Sequence, residues 1–522
     1  MINIVGAGLA GLSAAITAAQ NGHECRLISK QPSERAQSVL AEGGINAALD
    51  TMGENDTPRE HFEDTMRGGV YLADPNAVEM LTKNAPEILL WLTELGAGFN
   101  MCGDRPLLRK FGGQKKKRTA FAKSSTGKII MTALIDEARK YEARGLIHRY
   151  PHHELCDLCI KNGRCTGLVI RDIYSGEILP LGGAAILACG GLNGFFEGKT
   201  TGTTQNDGTA AVIAFARGVE FANLEFIQYH PTTIGISGKR CLISEAARGE
   251  GGRLFARING ERVYFMEDKY PELGNLMPRD IVSRESYMIS RRADCDGVFL
   301  DMTKISEDVW SGKLSDLRKE CIYYLSLDLA KEYIPVEPAI HYFMGGINTD
   351  IDHKTNIEGL YAAGECASQY HGANRLGGNS MLGALYGGKT AALNVSDIND
   401  DTPVLTDEKL NVSLSPDIEE EAEKALYDGL GIVRDEKTIL GSLERLEKLG
   451  DNTNARLAFA KAILNCALER RESRGAHFRA DHPETKEIFK KTTVVRAERK
   501  NGEYITSISF RDTAGKTNEN KA

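Results

Sequence analysis

The sequence predicts an α/β fold built on a Rossmann-like nucleotide-binding unit, and three stretches carry that expectation. Residues 2–30 read as a short apolar strand, the turn Gly6-Ala7-Gly8-Leu9-Ala10-Gly11, an alanine-rich helix and a second strand ending at Ile28. Residues 359–385 show a second strand–loop–helix pattern. The apolar run Gly359-Leu360-Tyr361-Ala362-Ala363 stops at Gly364-Glu365, a polar loop carries His371, Asn374 and Arg375, and Gly377-Gly378-Asn379-Ser380 opens the apolar segment Met381-Leu382-Gly383-Ala384-Leu385. Beyond residue 400 the chain turns acidic and reads as amphipathic helices of a bundle.

The first stretch is a dinucleotide fingerprint in its required context. The first glycine permits the tight turn, the second lets a pyrophosphate approach the backbone, and the third lets helix and strand pack closely. The acidic residue that ordinarily ends the second strand is replaced by Ser29-Lys30. In the second stretch, N–H groups at a helix N-terminus attract negative charge. They do so beside a carboxylate, a guanidinium and an imidazole.

Composition narrows the function classes. The 522 residues suffice for two to four domains at roughly 100–200 residues each. A formal net charge of -8 gives no basic footprint for nucleic acid. The 54 glycines fall in discrete loops, which points to tight backbone turns. No apolar run of membrane-spanning length is present, and the N-terminus opens directly on a strand pattern. The expected location is the cytoplasm, or the cytoplasmic face of a membrane reached through a partner. Eleven scattered cysteines read as reduced thiols. Cys156, Cys159 and Cys165 surround an Asn162-Gly163 turn between two strand patterns, with His152 and His153 nearby. Strand packing is the better reading there, and no metal site is expected.

Residues 31–49 read QPSERAQSVLAEGGINAAL, with a Glu42-Gly43-Gly44 turn. Together with the fingerprint, this stretch resembles the flavoprotein subunits of fumarate reductase and succinate dehydrogenase, a superfamily that also holds L-aspartate oxidase. The resemblance covers residues 1–485. That family also carries Ser-Lys after its second strand. It has a histidine, bonded covalently to FAD, where this chain has Gln37 in Arg35-Ala36-Gln37-Ser38. Gln37 has no nucleophilic ring nitrogen, so FAD is expected to be held non-covalently. The resemblance implies cofactor contacts from Gly6, Gly8, Gly11, Ser29, Lys30, Ser38, Gly43, Gly44, Asp207, Glu365, Arg375, Ser380 and Leu382.

It also implies the domain order. An FAD-binding domain in two pieces, 1–225 and 345–400, would hold an inserted α+β capping domain over 226–344. A C-terminal helical domain would follow over 410–485, then a hairpin around Asn501-Gly502 and a polar tail over 486–522. In the inserted domain lie EFIQYHPTT with His230, SEAARGEGG with Ser244, Glu245 and Arg248, and MPRDIVSR with Arg279. By resemblance His341 and Arg375 hold one substrate carboxylate, and His230 and Ser244 hold the other. Arg279 donates a proton, and Glu245 and Arg248 form its relay. Arginine suits such a clamp because its fork matches a carboxylate.

The expected activity is interconversion of fumarate and succinate by hydride transfer at flavin N5. Two alternatives stand beside it: L-aspartate oxidase, and a catalytically silent flavin-binding module. Oxidase relatives tend to carry a glutamate directly before the Gly-Gly that matches Gly112-Gly113, and this chain has Phe111. A phenyl ring offers no partner for a substrate ammonium. No ferredoxin-type cysteine motif is present, so electrons must come from an iron–sulfur subunit or a soluble donor.

Overall fold

The computed structural model describes residues 1–236, 238–395, 402–405 and 409–513. The end of the polar tail lies outside the described residues. Five strands run parallel in the order Leu360–Ala362, Ala185–Leu187, Ile2–Val5, Cys25–Ser29 and Ile147–Pro151. Ile2–Val5 is buried along its whole length, which is why it reads as a near-continuous apolar run. Helix Leu9–Gln20 packs on helices Thr126–Glu142 and Asn379–Asn394. Its approach to the last needs a glycine, since a Cβ on Gly388 would stand 2.2 Å from the Ala10 carbonyl oxygen.

Strand and helix patterns upstream of the insertion follow the sequence reading. Lys161 pairs with Arg164 across Asn162 and Gly163, both at positive φ, the geometry of a two-residue hairpin turn. Helix Pro75–Glu94 buries Ala77, Leu81, Ile88 and Leu89, but Met80 faces solvent, because Leu81 takes the core-facing position one residue later.

Strands Ile227–Ile236 and Glu337–Phe343 pair antiparallel, so the chain enters and leaves the inserted segment side by side. Between them lies a separate four-stranded sheet, in the order Glu261–Val263, Arg253–Ile258, Cys295–Asp301 and Ile334–Pro335. It has its own core around Leu254, Val298, Leu300, Trp310 and Leu317.

Helices Pro416–Gly429, Glu436–Leu449 and Ala455–Glu469 follow. Asp435 and Asn454 cap the second and third by accepting from backbone N–H groups. The bundle shares its core with Phe215 and Phe221, whose rings meet Phe459 tilted and edge-on respectively. The terminal hairpin, Lys491–Lys500 with Glu503–Asp512, turns at Asn501-Gly502 as expected. It is not free-standing. It completes a five-stranded sheet with Phe221–Ala222, Gly346–Asn348 and Ala367–Ser368. Buried Arg470 ties this end to the insertion boundary, 2.6 Å from Glu225 and 3.1 Å from Glu472.

Among the described residues all eleven cysteines are free thiols, and no cluster of His, Cys, Asp or Glu is arranged to hold a metal ion. Cys159 and Cys165 are buried in a three-stranded sheet. No helix among the described residues is long and apolar enough to cross a membrane.

Candidate active site and cofactor cavity

One cavity of about 890 Å³ runs from the fingerprint glycines to the inserted segment. Its cofactor end is shaped by close backbone approach. A Cβ on Gly6 would stand 2.0 Å from the Ala188 carbonyl oxygen, and one on Gly11 would stand 1.7 Å from that of Gly6. Two helices begin at this cavity without a side-chain cap, Leu9–Gln20 after Gly8 and Asn379–Asn394 after Gly378, while a third, Thr209–Ala216 after Gly208, has its Thr209 N–H taken by Asp207 Oδ1 at 3.0 Å. Gly208 and Gly378 both sit at positive φ, where a side chain would be strained. Uncapped N-termini leave N–H groups free for an anion. The Leu9 N–H reaches only the Ser38 hydroxyl, at 3.3 Å. A dinucleotide with a pyrophosphate fits this cradle.

Of the residues expected to hold the cofactor, Gly6, Gly8, Ser29, Lys30 and Ser38 line the cavity. So do Gly43, Gly44, Asp207, Glu365, Arg375 and Ser380. Lys30 and Asp207 pair with each other at 2.5 Å, and the Ser29 hydroxyl donates to the Gln31 carbonyl at 2.7 Å. Burial raises the Glu365 carboxyl to about 7, and the Phe343 N–H donates to it at 3.0 Å. The Leu382 side chain is fully buried in the core, because it follows the helix start by one turn and faces inward, which leaves its backbone N–H as the group that would meet the cofactor. Gly11 acts through packing and not on the wall. Gln37 accepts from the Thr203 N–H at 2.6 Å.

The opposite end gathers the chemistry. Gln228 pairs with Tyr342 and Tyr229 with Ile340, so His341 is the extra residue of a bulge. A bulge re-aims its side chain. His341 and His230, on neighbouring strands, stand with ring centroids 5.1 Å apart. His341 Nδ1 bonds the Thr201 hydroxyl at 2.7 Å, while His230 Nε2 is buried without a partner. Arg279 opens helix Arg279–Ser290. Its Nε and Nη2 donate to one Glu245 oxygen at 2.9 and 2.6 Å, and its Nη1 donates to the Gln228 Oε1 at 3.1 Å. Arg375 Nη2 donates to that same oxygen at 3.1 Å. The Arg375 guanidinium lies over the Tyr342 ring at 4.3 Å, and its Nε is unpartnered. Glu245 is held from behind by the Gly112 N–H at 3.1 Å and lies 3.8 Å from Arg248. Arg248 is not on the cavity wall and donates to the Asn275 carbonyl at 2.6 Å.

Burial pushes both His230 and His341 well below the usual imidazole range, and Arg279 adds to it in each. Neutral imidazoles result, able to hydrogen-bond an anion without a buried charge of their own. Burial, then Arg279, lowers Arg375 to about 9. Burial alone would raise Glu245, but Arg279 and Arg248 more than offset it and hold the carboxyl below its ordinary value. The cavity end is therefore a cationic pocket backed by one ionised carboxylate. It suits a small dianion with a proton donor poised beside it.

Gln228 and Tyr342 were not among the expected residues. Gln228 stands two before His230, and strand alternation could have placed both on one face. Phe111 is buried on the cavity wall, with a Cβ on Gly377 falling 3.1 Å from its ring.

Residues 2–381 match the model of an FAD binding domain, and residues 442–519 match that of the fumarate reductase flavoprotein C-term. The chain is 36% identical over 534 residues to the succinate dehydrogenase flavoprotein subunit of Bacillus subtilis, covering 92% of this chain and 91% of that one. It is 34% identical over 501 residues to an L-aspartate oxidase of Pyrococcus furiosus, covering 95% and 99%. A quinol fumarate reductase chain of E. coli, in a mutant form, has a TM-score of 0.86 at 29% identity over 98% of this chain and 96% of that chain. The fold, the glycine cradle and these likenesses agree: the chain belongs to the fumarate reductase and succinate dehydrogenase flavoprotein family and is an FAD-dependent oxidoreductase.

Proposed function

We propose that the protein interconverts fumarate and succinate, and the observation that carries this reading is the shared Gln228 oxygen. Arg279 and Arg375 both donate to it, so two guanidinium groups converge on one side of the cavity while His230 and His341 face it. Bound FAD supplies hydride exchange at its N5. The protein's own groups do the rest. His341 and Arg375 hold one carboxylate, and His230 and Ser244 hold the other. Arg279 delivers a proton to the carbon that does not receive the hydride, and Glu245, backed by Arg248, returns a proton to Arg279. Arginine is a poor acid in water. Here its donor geometry is fixed by two bonds to Glu245, and the surrounding cations favour loss of its charge as the substrate is reduced.

Domain roles follow from this reading. Residues 1–225 and 345–400 hold FAD, 226–344 cap the substrate, and 410–485 brace the two. The succinate dehydrogenase relative is a flavoprotein subunit, which supports an iron–sulfur partner; a soluble donor is the other source of electrons. A partner would also supply any attachment to the cytoplasmic face of a membrane. To test the activity, the protein is reduced anaerobically and mixed with fumarate. Rapid return of the oxidised flavin spectrum is expected, and a spectrum unmoved by fumarate contradicts it.

FAD attachment is a separate expectation. Gln37 carries an amide in the place of a ring nucleophile, and that amide already accepts from Thr203. Acid precipitation is expected to release FAD into the supernatant. Flavin fluorescence that stays with the denatured protein band would sink the non-covalent assignment.

A further inference from the structure

Glu42 is a carboxyl group in the substrate end of the cavity that the mechanism above does not use. It lines the cavity together with Ser244, whose hydroxyl pulls its pKa down. Its Oε2 is buried without a partner. The groups facing it come from three directions. Arg109, below it, is spent elsewhere. Its Nη2 donates to the Gly43 carbonyl oxygen, and its guanidinium lies over the Phe121 ring at 4.2 Å. Glu320, on helix Ser315–Leu325, presents a second carboxyl, with Cys321 beside it. Cys241, on strand Lys239–Leu242, is the third. No cation in this set bonds the Glu42 carboxyl directly.

We propose that Glu42 is a positioning residue for the substrate carboxylate at the Ser244 end, acting as the neutral acid. This rests on the dicarboxylate reading above. A carboxylate meeting an ionised Glu42 would face a like charge in a dry pocket, which is strongly unfavourable. A protonated Glu42 instead offers an O–H donor on the side of Ser244 and His230, so one carboxylate meets three neutral donors there while the other meets His341 and Arg375. The same device selects substrate. An ionised Glu42 would be the natural partner of an ammonium group, and Phe111 supplies none. The protonation state of one side chain therefore separates a dianion from an amino acid.

Burial, and then Glu320, raises the Glu42 carboxyl to about 8, against lesser pulls from Ser244 and Arg109. Binding of a dianion thus needs a proton that is present below that pH and lost above it. The other cavity groups in range are Glu365, at about 7, and Arg375, at about 9. His230 and His341 lie far below this window.

The test uses malonate, a dicarboxylate that carries no ethylene unit to oxidise, titrated into the FAD-loaded oxidised protein and read by the shift of the flavin absorbance. For the unaltered protein, Kd is expected to rise roughly tenfold between pH 7 and pH 9, as one required proton titrates. Glu42→Gln keeps a neutral donor and cannot ionise, so its Kd at pH 7 should stay within a few-fold and be flat to pH 9. Glu42→Ala should bind more weakly at every pH. A flat profile in the unaltered protein overturns the role of Glu42 and leaves the dicarboxylate reading standing. A slope that persists in Glu42→Gln assigns the proton to Glu365 or Arg375 and overturns it as well. Loss of malonate binding in Glu42→Gln at pH 7, with FAD retained, shows that the anion is needed and reverses the proposal. Absence of any malonate response in the unaltered protein between pH 6.5 and pH 9 overturns the dicarboxylate reading itself, and the role of Glu42 with it.

Discussion

Arg279→Lys and Arg279→Gln are both expected to keep FAD bound and to lower fumarate reduction by roughly 10²–10⁴-fold, the range that a positioned general acid supplies. The side chain is almost fully buried and makes three charge-assisted or shared hydrogen bonds, two to Glu245 and one to Gln228. Lysine keeps the charge but not the planar fork, so it can hold Glu245 or reach the substrate, and not both. Glutamine keeps neither the charge nor the relay. The cofactor cradle is built from Gly6, Gly8 and the two uncapped helix N-termini, which Arg279 does not touch, so the flavin content of the purified variants checks that only the chemistry has changed. Turnover near that of the unaltered protein in either variant removes Arg279 from the role of proton donor.

Arg375→Met carries the second large effect. It removes one guanidinium of the pair that shares Gln228, and methionine can still fill the space over the Tyr342 ring. Losing one partner of a buried, hydrogen-bonded charge pair costs about 2–5 kcal/mol. That corresponds to a fall in kcat/KM for fumarate of roughly 30- to 4,000-fold at 1.4 kcal/mol per tenfold. The loss should fall mainly on KM, since Arg375 holds the substrate in ground and transition states alike. Arg375 also lines the cofactor cavity, so FAD content is measured alongside. A kcat/KM unchanged at full FAD loading contradicts its place in the carboxylate clamp.

Much of this was legible in the chain because local chemistry forced it. Only glycine fits where a Cβ would meet the Ala188 or Gly6 carbonyl, so the fingerprint reads directly as a turn between a strand and a helix. The Asn162-Gly163 and Asn501-Gly502 pairs read as hairpins because their positive φ values favour those residues. Non-local assembly was illegible. The terminal hairpin extends a sheet whose other strands come from residues 221, 346 and 367, and no periodicity announces such partners. Within the site, His230, Ser244, Arg279, His341 and Arg375 could be named from motif resemblance. Gln228 could not, since an amide in a buried strand carries no signature until two arginines are seen to share its oxygen. Leu382 was named from the resemblance, and helix geometry turns its side chain into the core, which leaves its backbone as the part that would meet the cofactor. Glu42 read as part of a turn, Glu42-Gly43-Gly44. Its carboxyl matters because the fold carries Ser244 and Glu320 to it from more than 200 residues away.

Substrate choice is where the central claim is most exposed, because relatives with the same fold include both succinate dehydrogenases and L-aspartate oxidases. Succinate and L-aspartate share two carboxylates, so the clamp alone does not separate them. They differ by an ammonium group, which is costly to bury without an anionic partner. Phe111 is apolar, Glu245 is already bound to Arg279 and Gly112, and burial holds Glu42 toward its neutral form. Stopped-flow bleaching of the flavin compares the two donors directly, with oxidised protein mixed anaerobically at pH 7 with each in turn. Reduction by succinate at a rate at least tenfold above that by L-aspartate is the expected result, one tenfold step being about 1.4 kcal/mol of discrimination. Bleaching by L-aspartate as fast as by succinate would contradict the account and move the protein to the oxidase branch of its family.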